Sequence, residues 1–122
     1  MMRGIRGAIT LNADDAREIS EATQRLLTSM TAQNGVELDD IASVLFSVTT
    51  DLRAAFPALS AREMGWVHVP MLHFCEIEVP GSMPRVIRVL MHVNTTLAQN
   101  EINHVYLDGA RALRPDLAES AR

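Results

Sequence analysis

The period of the apolar residues changes several times along the chain, and each change predicts an element. Residues 3–11 place Ile5, Ile9 and Leu11 on one parity and Arg6, Ala8 and Thr10 on the other. That two-residue period describes a first strand with one apolar and one more polar face. Asn12 to Asp15 supply turn and N-cap side chains. Ile19, Leu26, Leu27 and Met30 then recur at helical spacing, a stripe that Ala16 and Thr23 extend, which predicts a helix to about Gln33. Asn34-Gly35 provides the stop.

Ile41 to Thr49 is rich in Val, Leu, Ile and Phe, and Ser43 to Thr49 reads as a second strand. Asp51 is placed to cap a short turn, and Phe56-Pro57 breaks the chain before a short helix over Ala58 to Met64 that Gly65 ends. Residues 67–79 form a third extended region, interrupted by Pro70, and Pro80-Gly81-Ser82 makes a turn. Arg85 to Asn94 is the clearest strand, with Ile87, Val89, Met91 and Val93 on one parity. His104 to Leu107 is the extended part of a last short piece, and the tail from Arg111 starts semi-apolar and ends polar. The order is strand, long helix, strand, short helix, strand, strand, without repeats or linkers. It predicts one domain over residues 1–122, with residues 115–122 a mobile tail, in the α+β class: a mixed β-sheet with helices on one face.

Composition adds three constraints. The chain has 122 residues, 48% hydrophobic but 4% aromatic, so small aliphatics and Met must do most of the packing. A domain this small gains from association with copies of itself. The net charge of −4 argues against nucleic acid as a partner. Cys75 is the sole cysteine, so no intrachain disulfide forms and a reducing compartment is expected. The start of the chain lacks the apolar run of a signal peptide, and no stretch approaches the roughly 18 apolar residues of a membrane span. A soluble, cytoplasmic protein with no membrane partner is the expectation.

Candidate chemistry centres on arginine, which supplies every cationic side chain apart from histidine, since the sequence contains no lysine. Genomic base composition accounts for most of that bias. Arg6 and Arg88, however, both sit on the parity opposite the apolar stripe of their strands, which places two guanidinium groups on one sheet face. Two readings stand: solvated surface arginines, or a site for a dianionic ligand gripped by planar forks that Lys cannot imitate. Glu76 is an edge charge or a site carboxylate, and Tyr106 a core aromatic or a site phenol. His68, His73, Cys75, Glu76, His92 and His104 include good metal ligands, but no C-x-x-C or H-E-x-x-H spacing occurs, so no metal is expected. A lone Cys75 is more often a small buried hydrophobe than a nucleophile. No Gly-rich phosphate loop and no Ser-centred elbow is present.

Five segments carry a resemblance: Arg3-Gly4-Ile5-Arg6-Gly7-Ala8, Asp51-Leu52-Arg53-Ala54-Ala55-Phe56-Pro57-Ala58, Val86-Ile87-Arg88-Val89-Leu90, His104-Val105-Tyr106-Leu107 and Leu113-Arg114-Pro115-Asp116-Leu117. In order and in register, they resemble the small monofunctional chorismate mutase family, whose members are trimers with a pseudo-barrel core. The resemblance covers nearly the whole chain. It implies conversion of chorismate to prephenate, for phenylalanine and tyrosine biosynthesis, without a cofactor and at sites between subunits of a homotrimer. It further implies that Arg6 holds a substrate carboxylate, that Arg88 contacts a carboxylate and the ether oxygen, that Glu76 accepts from the ring hydroxyl, and that Tyr106 binds a carboxylate. Phe56 and Ala58 would be pocket walls, Arg62 a cation at the mouth, and Arg114 part of a segment closing over ligand. Leu72, His73 and Leu113 complete the implied substrate-binding set. Three departures stand out. His73 occupies a place where the family often has Cys or Ser, Leu59 one where Lys is common, and the chain is about one residue shorter around Met64-Gly65. Three alternatives remain: a metabolite-binding trimer without turnover, an imine or enamine deaminase on a similar trimer, and a purely structural interaction domain.

Overall fold

The computed structural model describes residues 1–113. Strand β1 (Met2–Thr10) leads into helix α1 (Ala16–Asn34). Asp15 caps the helix by accepting the Glu18 N–H at 3.0 Å, and Glu18 in turn accepts the Asn12 N–H. Gly35 ends it in the left-handed conformation, φ +61°, where a side chain is costly. A 3₁₀ turn (Leu38–Asp40) precedes β2 (Ile41–Val48), which α2 (Pro57–Glu63) and β3 (Met71–Cys75) follow. Then come β4 (Val86–Asn94), a second 3₁₀ turn (Gln99–Glu101), β5 (Val105–Leu107) and a third 3₁₀ turn (Asp108–Ala112).

The five strands lie in the order β3-β2-β4-β1-β5. β4 runs antiparallel to β1 and to β2, whereas β3 runs parallel to β2 and β5 parallel to β1. The sheet is thus mixed, as its sequence order predicts. The extended region 67–79 shrinks to Met71–Cys75, because Pro70 has no N–H and offers only its carbonyl, which Val44 N–H bonds at 2.9 Å.

Alternation divides the sheet into two faces. One carries Ile5, Ile9, Val44, Phe46, Ile87, Val89, Met91, Val93 and Val105, all buried in the main core with Ile19, Leu26, Leu27 and Met30 of α1. Thr23 is also buried there, but Ala16 is exposed at the first turn, outside the expected stripe. The opposite face holds a second, smaller core at one end, formed by Ala8, Val86, Tyr106 and Ala110 with Met83 and Leu113 packed against it. Elsewhere this face is largely uncovered: Leu72 is 60% exposed and Phe74 50%. No helix among the described residues is long and apolar enough to cross a membrane.

Candidate active site

Register brings Arg6, Arg88 and Tyr106 together although up to 100 positions separate them in the chain. Ala8 of β1 pairs with Arg88 of β4 on one side and with Tyr106 of β5 on the other. Arg6 pairs with Leu90, two positions along the same face. On the far side of β4, Arg88 pairs with Ser47 of β2, and Ser47 with Phe74 of β3. All these side chains share the face away from the helices. They line a cavity of about 340 Å³ with Leu45 and Leu90 in its walls.

Glu76 reaches the same face from just beyond β3, its N–H held by the Val48 carbonyl at 2.8 Å. Its Oε1 lies 2.7 Å from Arg88 Nε and accepts the Ser47 hydroxyl at 3.2 Å. The Arg88 Nε is buried, and Glu76 sits off its N–H axis, so the two groups compensate in charge without forming an aligned hydrogen bond. The Arg88 side chain as a whole remains 43% exposed, so its guanidinium can donate to an incoming anion. Arg6 is exposed, and its backbone N–H donates to His104 Nδ1 at 2.9 Å. Tyr106 is 7% exposed: it packs in the second core and also lines the cavity. Two arginines and a tyrosine lining an apolar-walled cavity, with the Glu76 carboxylate beside it against Arg88, suit a small dianionic ligand with a hydroxyl.

This arrangement sits on a chain whose residues 2–117 match the sequence model of chorismate mutase type I. The chain belongs to the type I chorismate mutase family. It is 51% identical, over 123 residues and the full length of both proteins, to the chorismate mutase AroH of Thermus thermophilus. It is 43% identical to the AroH of Bacillus subtilis, over 97% of this chain and 94% of that one. The solved structure of a chorismate mutase from Clostridium thermocellum superposes with a TM-score of 0.89 at 51% identity, covering 90% of this chain and 98% of the other.

For this member of the chorismate mutase family, the remaining sequence candidates fall elsewhere. Leu113 packs beside Tyr106 in the second core. Leu72 shares the face of Arg88 but lies out on the edge strand β3. Phe56, Ala58 and Arg62 belong to α2 and its approach, on the helix side. Phe56 is 67% exposed, whereas the Ala58 methyl is buried in the main core. His73 pairs with Phe46 and so points to the helix side, away from Arg6 and Arg88. There its ring stacks on Phe46, and Nε2 accepts the Ala58 N–H at 3.0 Å. The strand pleat thus directs His73 to the helix side of its own chain, the side that also carries Phe56 and Arg62. Burial, helped by the Arg62 charge, lowers the His73 pKa. Arg114 and the tail 115–122 lie outside the described residues. The candidate metal ligands do not converge: among the described residues no group of three His, Cys, Asp or Glu side chains is placed to hold an ion. Ser47 was not singled out by sequence. Its signal is the polar parity of β2 (Ser43, Ser47), which gains meaning only once β2 is paired to β4.

Proposed function

We propose that this chain rearranges chorismate to prephenate, in aromatic amino acid biosynthesis, with Arg88, Glu76, Arg6 and Tyr106 as the groups that act on substrate. The close approach of Arg88 and Glu76 on an apolar-walled, arginine-flanked face supports this reading best. A Claisen rearrangement is unimolecular and concerted and needs no nucleophile or proton transfer. It requires that the enolpyruvyl arm fold over the ring, and holding both carboxylates, with Arg6 and Tyr106, selects that conformer. The ether bond breaks ahead of carbon–carbon bond formation, so negative charge grows on the ether oxygen. Arg88, already fixed by Glu76 and the β4 backbone, stabilises that charge more in the transition state than in the ground state. Glu76 orients the ring hydroxyl and balances positive charge on the ring.

The working unit is a homotrimer with its sites between subunits. Arg6, Arg88, Glu76 and Tyr106 lie on one face of a chain, while Phe56 and Arg62 lie on its other side, so a neighbour supplies the second wall. The exposed Phe56, Leu72 and Phe74 provide apolar area for that contact. Cys75 is free and exposed, which suits a reducing, cytoplasmic setting.

The test is the loss of chorismate's ultraviolet absorbance on addition of purified protein, with the oligomer measured by light scattering. Rapid conversion to prephenate by a trimer is the expected result. Binding without conversion would replace this reading with that of a metabolite sensor, and neither binding nor conversion would return the deaminase alternative.

A further inference from the structure

His73 occupies an unusual position for an ionisable group: it ties the sheet to the start of a helix. Its ring lies between two aromatic rings, 5.5 Å from Phe46 of β2 and 5.2 Å from Phe56 at the head of α2. From there Nε2 accepts the N–H of Ala58. α2 is only seven residues long, and Phe56, at its N-cap, makes no side-chain cap bond. Pro57 carries no N–H, so Ala58 is the first residue of the helix with a donor to satisfy. A helix this short has little stability of its own and takes its place from contacts with the rest of the fold. The imidazole supplies the missing cap from another element.

An acceptor at Nε2 requires the neutral ring with its proton on Nδ1. Protonation turns Nε2 into a donor aimed at another donor. The charge bearing on the ring is the Arg62 guanidinium of α2, while β2 contributes Phe46 and the approach to α2 contributes Phe56, neither of which ionises. We propose that His73 is a positioning residue whose neutral imidazole anchors the head of α2, and with it the Phe56 and Arg62 wall offered to a neighbouring subunit's site, and that acid releases this anchor. The kinetic part rests on the mutase reading, but the proton's location on the ring does not.

Two measurements test it. NMR of the labelled imidazole nitrogens in the folded protein, without substrate, is expected to show the Nδ1–H tautomer at neutral pH and conversion to imidazolium only below the ordinary histidine value of 6.5. An Nε2–H tautomer at neutral pH would overturn the proposal whatever reaction the protein performs. In steady-state assays, His73→Phe keeps a ring but loses the acceptor, and should raise KM for chorismate about tenfold with a smaller change in kcat. His73→Gln restores an acceptor near the Nε2 position, and should bring KM back to within about threefold of wild type while flattening its rise in acid. Unchanged KM in a folded His73→Phe protein, or an unaltered acid limb in His73→Gln, would refute the anchor. Should His73→Phe fail to fold, the acid limbs of wild type and His73→Gln decide alone. No turnover by any protein, wild type included, would defeat the mutase reading and leave the NMR result to judge His73.

Discussion

Arg88 Nε and Glu76 Oε1 stand 2.7 Å apart, and the carboxylate lies off the N–H axis. The pair therefore fixes the guanidinium by charge while leaving its donors available. Both side chains are partly open to solvent, so the pair adds little to folding stability, and in the proposed mechanism its value lies in placing a cation where charge develops.

Replacement of this cation should be expensive in rate and cheap in stability. Arg88→Ala is expected to lower kcat by about a hundred- to a thousandfold, with a melting temperature near that of the wild type. Arg88→Lys should recover little, because an ammonium cannot present the planar fork. Activity surviving in Arg88→Ala would remove Arg88 from the mechanism.

The Ser47 hydroxyl donates to Glu76 Oε1, the same oxygen that faces Arg88. Ser47→Ala deletes one hydrogen bond to a charged acceptor and should reduce kcat/KM by about tenfold without unfolding the protein. An unchanged kcat/KM would mean that Arg88 and the Val48 carbonyl position Glu76 without it.

Gly7 sits on the core side of β1, where an added Cβ would meet the Met30 sulfur and approach Leu26 Cδ1 to 3.1 Å. Met30 and Leu26 are fully buried, so the ends of their side chains must shift within the packed core to admit it. Gly7→Ala should destabilise the fold by about 1–3 kcal/mol in chemical denaturation. A neutral effect would show that α1 moves off the sheet at little cost.

His73 also makes stability depend on pH. Burial and Arg62 lower its folded pKa below the unfolded value of 6.5. The unfolded chain then binds the proton more readily than the folded one, so the stabilisation is complete above 6.5 and is lost as pH falls through the folded pKa. Melting temperature should decline across that window in the wild type, and the part due to His73 should vanish in His73→Gln. An identical decline in both proteins would assign it to other groups.

Much of the fold was legible in the sequence because its signals are local. Strand alternation, the α1 stripe, Asp15 at its head and Gly35 at its end each act within a few residues, and the structure reproduces them within one or two positions. The parity of Arg6 and Arg88 was readable for the same reason, since each strand states which of its faces is apolar. β3 was overextended because the residues flanking it look extended, yet Pro70 and Glu76 each keep only a single backbone bond to β2 and the ladder ends with them.

What tertiary structure alone decided is which strands are neighbours and in what register. Ala8 standing between Arg88 and Tyr106, and Ser47 opposite Arg88, are pairings across as many as 98 positions that no local period encodes. The same holds for His73: the resemblance placed it in the substrate-binding set, and only its pairing with Phe46 shows that its side chain lies on the helix side of its own chain. In a pleated sheet the side chain's destination is set by the strand's partners, and those partners are chosen by burial of the whole core, not by the residue itself.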